Sequence, residues 1–237
     1  EFSCVVSEPK KLLAFLPKSG SVNLTLASEH SLAVTSDFGT ATFGLLAAAD
    51  YPSPPDQSAS PLLAGHGSPS ELASEFRFVR EAVTEEQTRF SINGALLEVN
   101  EAGRIAVVGT DGHRLHAVAS KFDPQDATPP GTSQLVRRGT MEAVCGVVSA
   151  LKPDIVCMSL ADNATHIRFE FSRGGHDVAT VFGRAHEGSF PKWQKVVPQD
   201  TPTTATIPSG QFVAALRQAK GQANESCRLT KFAFDSN

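Results

Sequence analysis

The chain places an acid, two histidines and an arginine close together at the end of an apolar run. Residues 107–118 read VVGTDGHRLHAV, in which Asp111, His113, Arg114 and His116 interrupt β-branched and aliphatic residues. Carboxylate and imidazole groups ligate divalent metals, and they also act as general acids and bases. The pattern admits three interpretations, which are a metal site, a catalytic centre, or a turn that shapes a surface for a partner.

A metal-dependent phosphoesterase is the enzymatic hypothesis for this segment. It would use Asp111, His113 and His116 as ligands for a divalent ion. Metal-dependent hydrolases usually carry several such clusters, and the sequence shows no second one within reach. A Ser-His-Asp hydrolase is disfavoured because no G-x-S-x-G motif is present. The residues therefore give a metal-dependent enzyme little support, and we keep the phosphoesterase as an alternative.

The charge balance limits how the protein can contact nucleic acid. The 237 residues carry a net charge of −4 and a pI near 6.0. A protein that grips nucleic acid over a whole face is usually strongly basic. Any contact of this chain with nucleic acid must therefore be weak or confined to a small part of its surface.

Cysteine spacing and hydropathy favour a cytoplasmic protein. The four cysteines, Cys4, Cys145, Cys157 and Cys227, form no C-x-x-C pair, so we expect reduced thiols and no zinc site. The sequence also has no apolar run of about 18 residues, which predicts that no helix spans a membrane.

A helix followed by strands recurs along the chain. Helical patterns begin roughly 60 to 70 residues apart, over 7–20, 68–86, 137–152 and 208–220. Ser70 is expected to cap the second helix, and Pro153 stops the third. Strand patterns follow each helix: SVNLTL, HSLAVTS and TATFGLL; RFSINGALLEV, RIAVVGT and RLHAVAS; DIVCMSL, THIRFEF and HDVATVFG; then RLTKFAF.

These repeats predict an α+β protein built from paired half-units with antiparallel sheets. A helix with three strands cannot bury its sheet alone, so we expect two units to pair into one domain. The second and third units would form a domain over about 66–198. The Pro-rich segment 52–61 is expected to separate domains, and 122–133 to be a long loop between halves.

Several of these segments together resemble one known family. RFSINGALLEV followed by RIAVVGTDGHRL is similar to the second domain of the bacterial DNA polymerase III beta subunit, the sliding clamp. LVRRG resembles the basic pair before that domain's second helix. GSFPKWQKVVP resembles the family's linker into its third domain, and ADYPSPPD the end of its first. The resemblance covers essentially the whole chain.

The resemblance implies the DNA clamp fold, with helices lining a central channel and sheets outside. By this comparison residues 1–57 are the second half of clamp domain 1, 66–198 are a complete domain 2, and 199–237 are the first half of domain 3. We therefore expect the first half of domain 1 and the second half of domain 3 to be lacking here. Both ends of the chain would then lie within a longer protein.

The resemblance also implies a function without catalysis or cofactor. In the family, two chains close into a homodimeric ring around duplex DNA and bind it without regard to sequence. The ring serves as processivity factor for the replicative polymerase. The expected partners are the polymerase III alpha subunit, the clamp loader, and other polymerases or repair proteins that dock short peptides.

Two sets of residues are expected to form binding sites. The partner-peptide pocket is expected to use Ile92, Thr110, Gly112, His113, Arg114, Leu115, Pro191, Lys195 and Val196. The DNA-binding set, taken mainly from basic residues on the predicted helices, is Lys10, Lys11, Arg77, Arg80, Arg89, Phe90, Arg137, Arg138, Arg217 and Lys220. The chain departs from the family pattern at Ser91, Gly109 and His116.

A shortened clamp-like protein is a second alternative. The fourth unit of one chain would pair with the first unit of the next, giving hybrid domains between chains. The order of the half-units permits this arrangement.

Overall fold

A computed structural model describes most of the chain as two compact units. The described residues are 4–51, 55, 61–86, 89–124, 128–161, 166–185, 188–198, 200–201, 204–222 and 232. The units are Glu1–Ser189 and Phe190–Asn237. No helix in this described part is long and apolar enough to cross a membrane.

The first unit begins with a helix and a four-stranded antiparallel sheet. The elements are β1 (Val5–Val6), α1 (Pro9–Phe15), β2 (Asn23–Ser28), β3 (Ser31–Ser36) and β4 (Gly39–Leu46), in the sheet order β1-β4-β3-β2. Alternate residues of β3 and β4 are buried and form a small core, to which Phe15 adds an edge-to-face contact with Phe43. The helix ends earlier than predicted because Pro17 disfavours helical backbone at the residue before it.

The rest of the first unit contains two helices and two antiparallel sheets. The elements are β5 (Pro61–Gly67), α2 (Pro69–Arg80), β6 (Gly94–Val99), β7 (Ile105–Thr110), β8 (Leu115–Ala119), β9 (Asp123–Pro124), β10 (Ser133–Arg137), α3 (Arg138–Leu151), β11 (Ile155–Ala161), β12 (His166–Arg173) and β13 (His176–Arg184). One sheet has the order β10-β6-β7-β8 and the other β13-β12-β11-β5-β9.

One hydrophobic core is shared by both helices and both sheets. Phe76 of α2 meets Phe169 of β12 edge to face, with ring centroids 6.0 Å apart. In β12 the residues Ile167, Phe169 and Phe171 are fully buried, while the residues between them are half-exposed. Each such buried aromatic or aliphatic side chain contributes about 1.5–3 kcal/mol to folding. The alternation predicted for THIRFEF is therefore confirmed.

The sheets contain strands that the helix-plus-three-strand pattern did not predict. β5 precedes α2 in the chain but pairs with β11, where Val156 lies opposite Gly67. β10 precedes α3 but pairs with β6, where Leu135 lies opposite Leu96. The strand before each helix therefore completes the sheet formed by the strands after the other helix. This exchange ties the two halves together through backbone hydrogen bonds as well as through the core.

The segment 122–133, which we predicted to be a long loop, has strand residues at both ends. β9 (Asp123–Pro124) pairs with β5, and Ser133 is the first residue of β10. Phe122 packs so closely against β5 that a Cβ atom at Gly65 would lie 2.6 Å from the Phe122 ring. Glycine is needed there because no side chain fits. Residues 125–127, and 52–61 except 55 and 61, lie outside the described residues.

The boundaries of α2 and α3 show how helices start and stop here. Ser68, not Ser70, occupies the N-cap position of α2, and Pro69 takes the first turn, where a missing N–H costs nothing. The helix ends at Arg80. The buried residue Val83 therefore lies in the irregular segment after the helix and not on the apolar face of the helix. α3 ends at Leu151, and Lys152 follows it in the left-handed conformation (φ 48°) just before Pro153, which was predicted to stop the helix.

The second unit contains one longer helix. A 3-10 turn covers Trp193–Lys195, and α4 covers Ser209–Gln222, close to the predicted 208–220. The ring of Phe212 lies 5.5 Å from that of Phe232. The predicted strand RLTKFAF lies outside the described residues except for Phe232.

Candidate functional site

The polar segment after β7 is a tight turn held by its own side chains. The buried hydroxyl of Thr110 donates to the carbonyl of Arg114 at 2.7 Å and accepts the N–H of Gly112 at 3.1 Å. Gly112 has φ +89°, a conformation that glycine adopts without strain. The turn reverses the chain from β7 into β8 and presents His113 and Arg114 to solvent.

Asp111 organises this turn from within. Its carboxylate accepts the N–H groups of His113 at 2.9 Å and Arg114 at 3.0 Å, and the Arg114 Nε at 3.1 Å. These bonds stabilise the charged form, so the pKa of Asp111 lies below its ordinary value of 3.8, chiefly through the N–H of His113 and then that of Arg114. Both carboxylate oxygens are therefore already engaged.

The positions of the three proposed metal ligands give the phosphoesterase alternative no support. His116 turns away from Asp111, because its Nδ1 lies 2.7 Å from the Phe78 carbonyl and its ring stacks on the Phe78 ring at 4.6 Å. Among the described residues, no group of three His, Cys, Asp or Glu side chains is placed to hold a metal ion. The turn interpretation is the one that the geometry favours.

The residues predicted to form the peptide pocket belong to both units. In the first unit Ile92 and Thr110 are buried, Leu115 is half-buried, and Gly112, His113 and Arg114 are exposed. In the second unit Pro191 and Lys195 are exposed, and Val196 follows the 3-10 turn with 69% of its surface accessible. The turn thus offers donors beside apolar surface, while the second wall of the pocket stays a prediction.

A cleft of about 410 Å³ lies beside the turn. It is lined by the segment after α2, the turn and the start of α3: Glu81, Val83, Thr84, Glu85, Glu86, Arg89, Asp111, His113, Arg114 and Arg138. The structure therefore brings His113 and Arg114 of the predicted peptide site next to Arg89 and Arg138 of the predicted DNA site. The lining glutamates were not predicted as part of any site.

Most of the predicted DNA-binding residues are exposed, and several are paired with acids. Arg77, Arg137, Arg217, Lys220 and Lys10 have exposed side chains. Lys11 pairs with Glu8 at 2.5 Å and Arg89 with Glu86 at 2.9 Å. Phe90 begins a 3-10 turn (Phe90–Ile92), and its side chain lies outside the described part.

Arg80 and Arg138 share a more extensive pairing at the junction of α2 and α3. Arg138 lies 3.0 Å from Glu85 and 3.2 Å from Glu142. Arg80 lies 3.4 Å from Glu81 and 3.7 Å from Glu142. Glu142 therefore contacts both arginines.

Comparison with known proteins identifies relatives along nearly the whole chain. The beta sliding clamps of two Caulobacter vibrioides strains, NA1000 / CB15N and ATCC 19089 / CIP 103742 / CB 15, are each 27% identical to it over 226 residues. These matches cover 93% of this chain and 57% of each relative. The chain is thus similar in sequence to bacterial beta sliding clamps. No family model matches it.

Solved structures of sliding clamps share its fold. The DNA polymerase III beta subunit from Pseudomonas aeruginosa has a TM-score of 0.75 and 24% identity, covering 94% of this chain and 57% of that one. The beta subunit from Thermotoga maritima has a TM-score of 0.74 and 18% identity, covering 92% and 56%. The predicted α+β clamp fold is confirmed, and the chain spans somewhat more than half the length of these relatives.

Two departures from the clamp sequence pattern have a structural cause in the contact between α2 and its sheet. A Cβ atom at Gly109 would lie 2.7 Å from a methyl of Val79 and 2.9 Å from the Val79 carbonyl, so β7 can approach the helix only with glycine there. His116, on the neighbouring strand β8, adds to the same contact because its ring stacks on that of Phe78. Both changes concern the packing of α2 and leave the turn itself intact.

The acids near the start of α2 serve the fold rather than a ligand. Glu75 is buried and accepts the Ser120 hydroxyl at 2.6 Å and the Lys121 N–H at 3.0 Å. Glu71 hydrogen-bonds the Lys121 ammonium at 2.7 Å, which raises the pKa of that lysine. These bonds fasten the chain leaving β8 onto the helix.

Proposed function

We propose that the protein acts as a sliding clamp, a non-catalytic processivity factor that encircles duplex DNA for the replicative polymerase. The supporting observation is the match to curated beta sliding clamps over 93% of this chain. Residues 1–57, 66–198 and 199–237 would then belong to clamp domains 1, 2 and 3. The intact protein would be a ring-shaped homodimer in the cytoplasm, with helices facing the channel.

The charge of the chain is compatible with this role. With 25 acidic and 21 basic residues the protein cannot grip phosphates strongly over its whole surface. A ring needs no strong grip, because closure retains it on the duplex. Weak, sequence-independent attraction at a few arginines leaves the ring able to slide.

Partner docking is assigned to the turn that follows β7. Leu115, which is half-buried, would supply apolar surface, while His113 and Arg114 would supply donors for peptide carbonyls or a carboxylate. Ile92 stays in the proposed site, although its side chain is buried. Pro191, Lys195 and Val196 would form the opposite wall. The partners would be the polymerase III alpha subunit, the clamp loader, and other polymerases or repair proteins.

The two activities should be separable by substitution in the same chain. Leu115→Asp should weaken binding of the polymerase alpha-subunit docking peptide at least about tenfold, because it places a charge on an apolar contact, and it should leave duplex binding unchanged. Arg77→Gln with Arg137→Gln should do the reverse, making the slope of log affinity against log salt shallower by about one to two. Peptide titration calorimetry and anisotropy of a labelled short duplex measure the two effects.

Matched controls exclude nonspecific effects. Val178→Asp introduces the same charge at an exposed position of β13, and Arg104→Gln with Arg184→Gln removes two exposed charges elsewhere. If Val178→Asp weakens peptide binding as strongly as Leu115→Asp, the peptide surface is wrongly assigned. If the Arg104 and Arg184 pair changes duplex binding as strongly as the Arg77 and Arg137 pair, the DNA surface is wrongly assigned.

A further inference from the structure

Acidic side chains form ion pairs with the arginines at the junction of α2 and α3. Arg138 is held by Glu85 from the segment after α2 and by Glu142 one turn along α3, at 3.0 and 3.2 Å. Arg80, in the last turn of α2, is held by Glu81 and again by Glu142. Two of the cations expected to meet DNA are therefore already paired.

The burial of these groups shows which partner is the more accessible. The side chains of Arg80 and Arg138 are 28% and 31% exposed, whereas those of Glu85 and Glu142 are 77% and 48% exposed. The arginines thus lie beneath a more exposed layer of carboxylates. A phosphate that approaches this junction meets the glutamates first.

A phosphate that approaches Arg138 competes with two carboxylates, because Glu85 already contacts its Nη1 and Glu142 its Nε. Exposed ion pairs are weak and screened by salt, so such an exchange is close to balanced rather than prohibited. Each phosphate that gains an arginine contact releases a counterion, but here part of that gain is offset by the carboxylate that loses its partner. The pairs should therefore lower both DNA affinity and its dependence on salt.

We propose that Glu142, together with Glu85, determines the strength of the DNA contact by competing with phosphates for Arg80 and Arg138. This inference rests on the proposed function, because it assumes that the junction faces the duplex. It assigns a role to two acids that would otherwise weaken the DNA-binding assignment. A clamp that must slide gains from such competition, since no single phosphate contact becomes tight.

The other role of these pairs is to fasten α2 to α3. That role alone predicts that removing the carboxylates lowers stability and leaves duplex affinity at the level given by the change in net charge. Glutamine at position 142 or 85 retains the length and one hydrogen-bond acceptor of glutamate, so thermal unfolding and DNA binding can be compared in folded protein. Glu85→Gln alone provides a second, exposed position at which folding is least affected.

The test compares duplex binding of Glu142→Gln with Glu85→Gln against Glu101→Gln with Glu29→Gln in the 237-residue chain. Both pairs remove two negative charges, and Glu101 and Glu29 lie in exposed turns. We expect the test pair to bind a labelled duplex about three- to tenfold more tightly than the control pair at low salt, with a salt slope steeper by about one. Glu85→Gln alone should give a smaller change in the same direction.

Two outcomes overturn the proposal, and they are distinguishable. If the test and control pairs bind alike while Arg77→Gln with Arg137→Gln still weakens binding, the glutamates only join the helices and the proposed function stands. If none of these variants changes duplex binding, the junction does not face DNA, and the DNA-binding part of the proposed function fails together with this inference.

Discussion

Asp111 shows at the scale of one residue why an acid stands in this turn. A carboxylate with two backbone N–H donors and one guanidinium donor fixes a four-residue reversal that a neutral side chain would hold less firmly. The same bonds make its contribution depend on pH. A group whose pKa is lower in the folded state stabilises the fold above its unfolded pKa and ceases to do so as pH falls through its folded pKa.

Asp111→Asn should therefore destabilise the protein more at pH 6 than at strongly acid pH. At pH 6 the variant should lose about 1 kcal/mol of unfolding free energy, because amide oxygen is a weaker acceptor than carboxylate. Below the depressed pKa of Asp111 the wild-type side chain is also neutral, so the difference should shrink. Urea unfolding of both proteins across this range measures it, and a difference that does not change with pH would contradict the assigned role.

Sequence predicted the turn at this scale but not its neighbours. Gly112 and the short polar side chains around it are typical of turns, so the residue types alone predict this one. The stacking of His116 on Phe78, and the glycine at 109 that Val79 requires, depend on contacts between α2 and a sheet formed later in the chain. Likewise Glu142 and Arg80 are far apart in sequence, so their pairing was visible only once the helices were placed together.

Helices and strands were predictable where their periodicity was long and regular. α3, β7 and β12 lie close to where the apolar periods placed them. β5 was missed because PLLAGHG has two glycines and no regular alternation, and it follows a Pro-rich segment that predicts a linker. Its glycines are explained by Phe122, whose ring contacts the strand so closely that a side chain would not fit. Phe122 itself lies in a segment that was predicted to be a loop.

The exchange of strands between the halves makes a prediction about local stability. Backbone amides of β5 should exchange with deuterium as slowly as those of β11, its partner, although the two strands are far apart in sequence. The exposed turn after β6, residues 100–104, should exchange faster, because its amide hydrogen bonds are local and can open without unfolding the sheet. It serves as the internal reference. Exchange mass spectrometry of overlapping peptides decides this, and a β5 that exchanges like the turn would mean it is not part of the sheet.

At the scale of the whole molecule, several weak features act together. The chain spans 57% of the curated clamps that it matches, and it carries a net negative charge. In the proposed function, exposed arginines such as Arg77, the paired arginines at the helix junction, and the ordered turn after β7 would each supply modest contacts. If the protein encircles DNA, modest contacts suffice, because persistence on the duplex then depends on topology and not on affinity.

Retention on circular and linear DNA tests this claim most directly. The intact protein would be loaded onto a nicked circular duplex with the loading proteins of the same cells, and its loss followed by gel filtration before and after one double-strand cut. A clamp should stay on the circle at salt concentrations that abolish binding of the free chain to a short duplex, and it should leave within minutes once the circle is cut. Equal rates of loss from circular and linear DNA would show that the protein binds from one side and does not enclose the duplex.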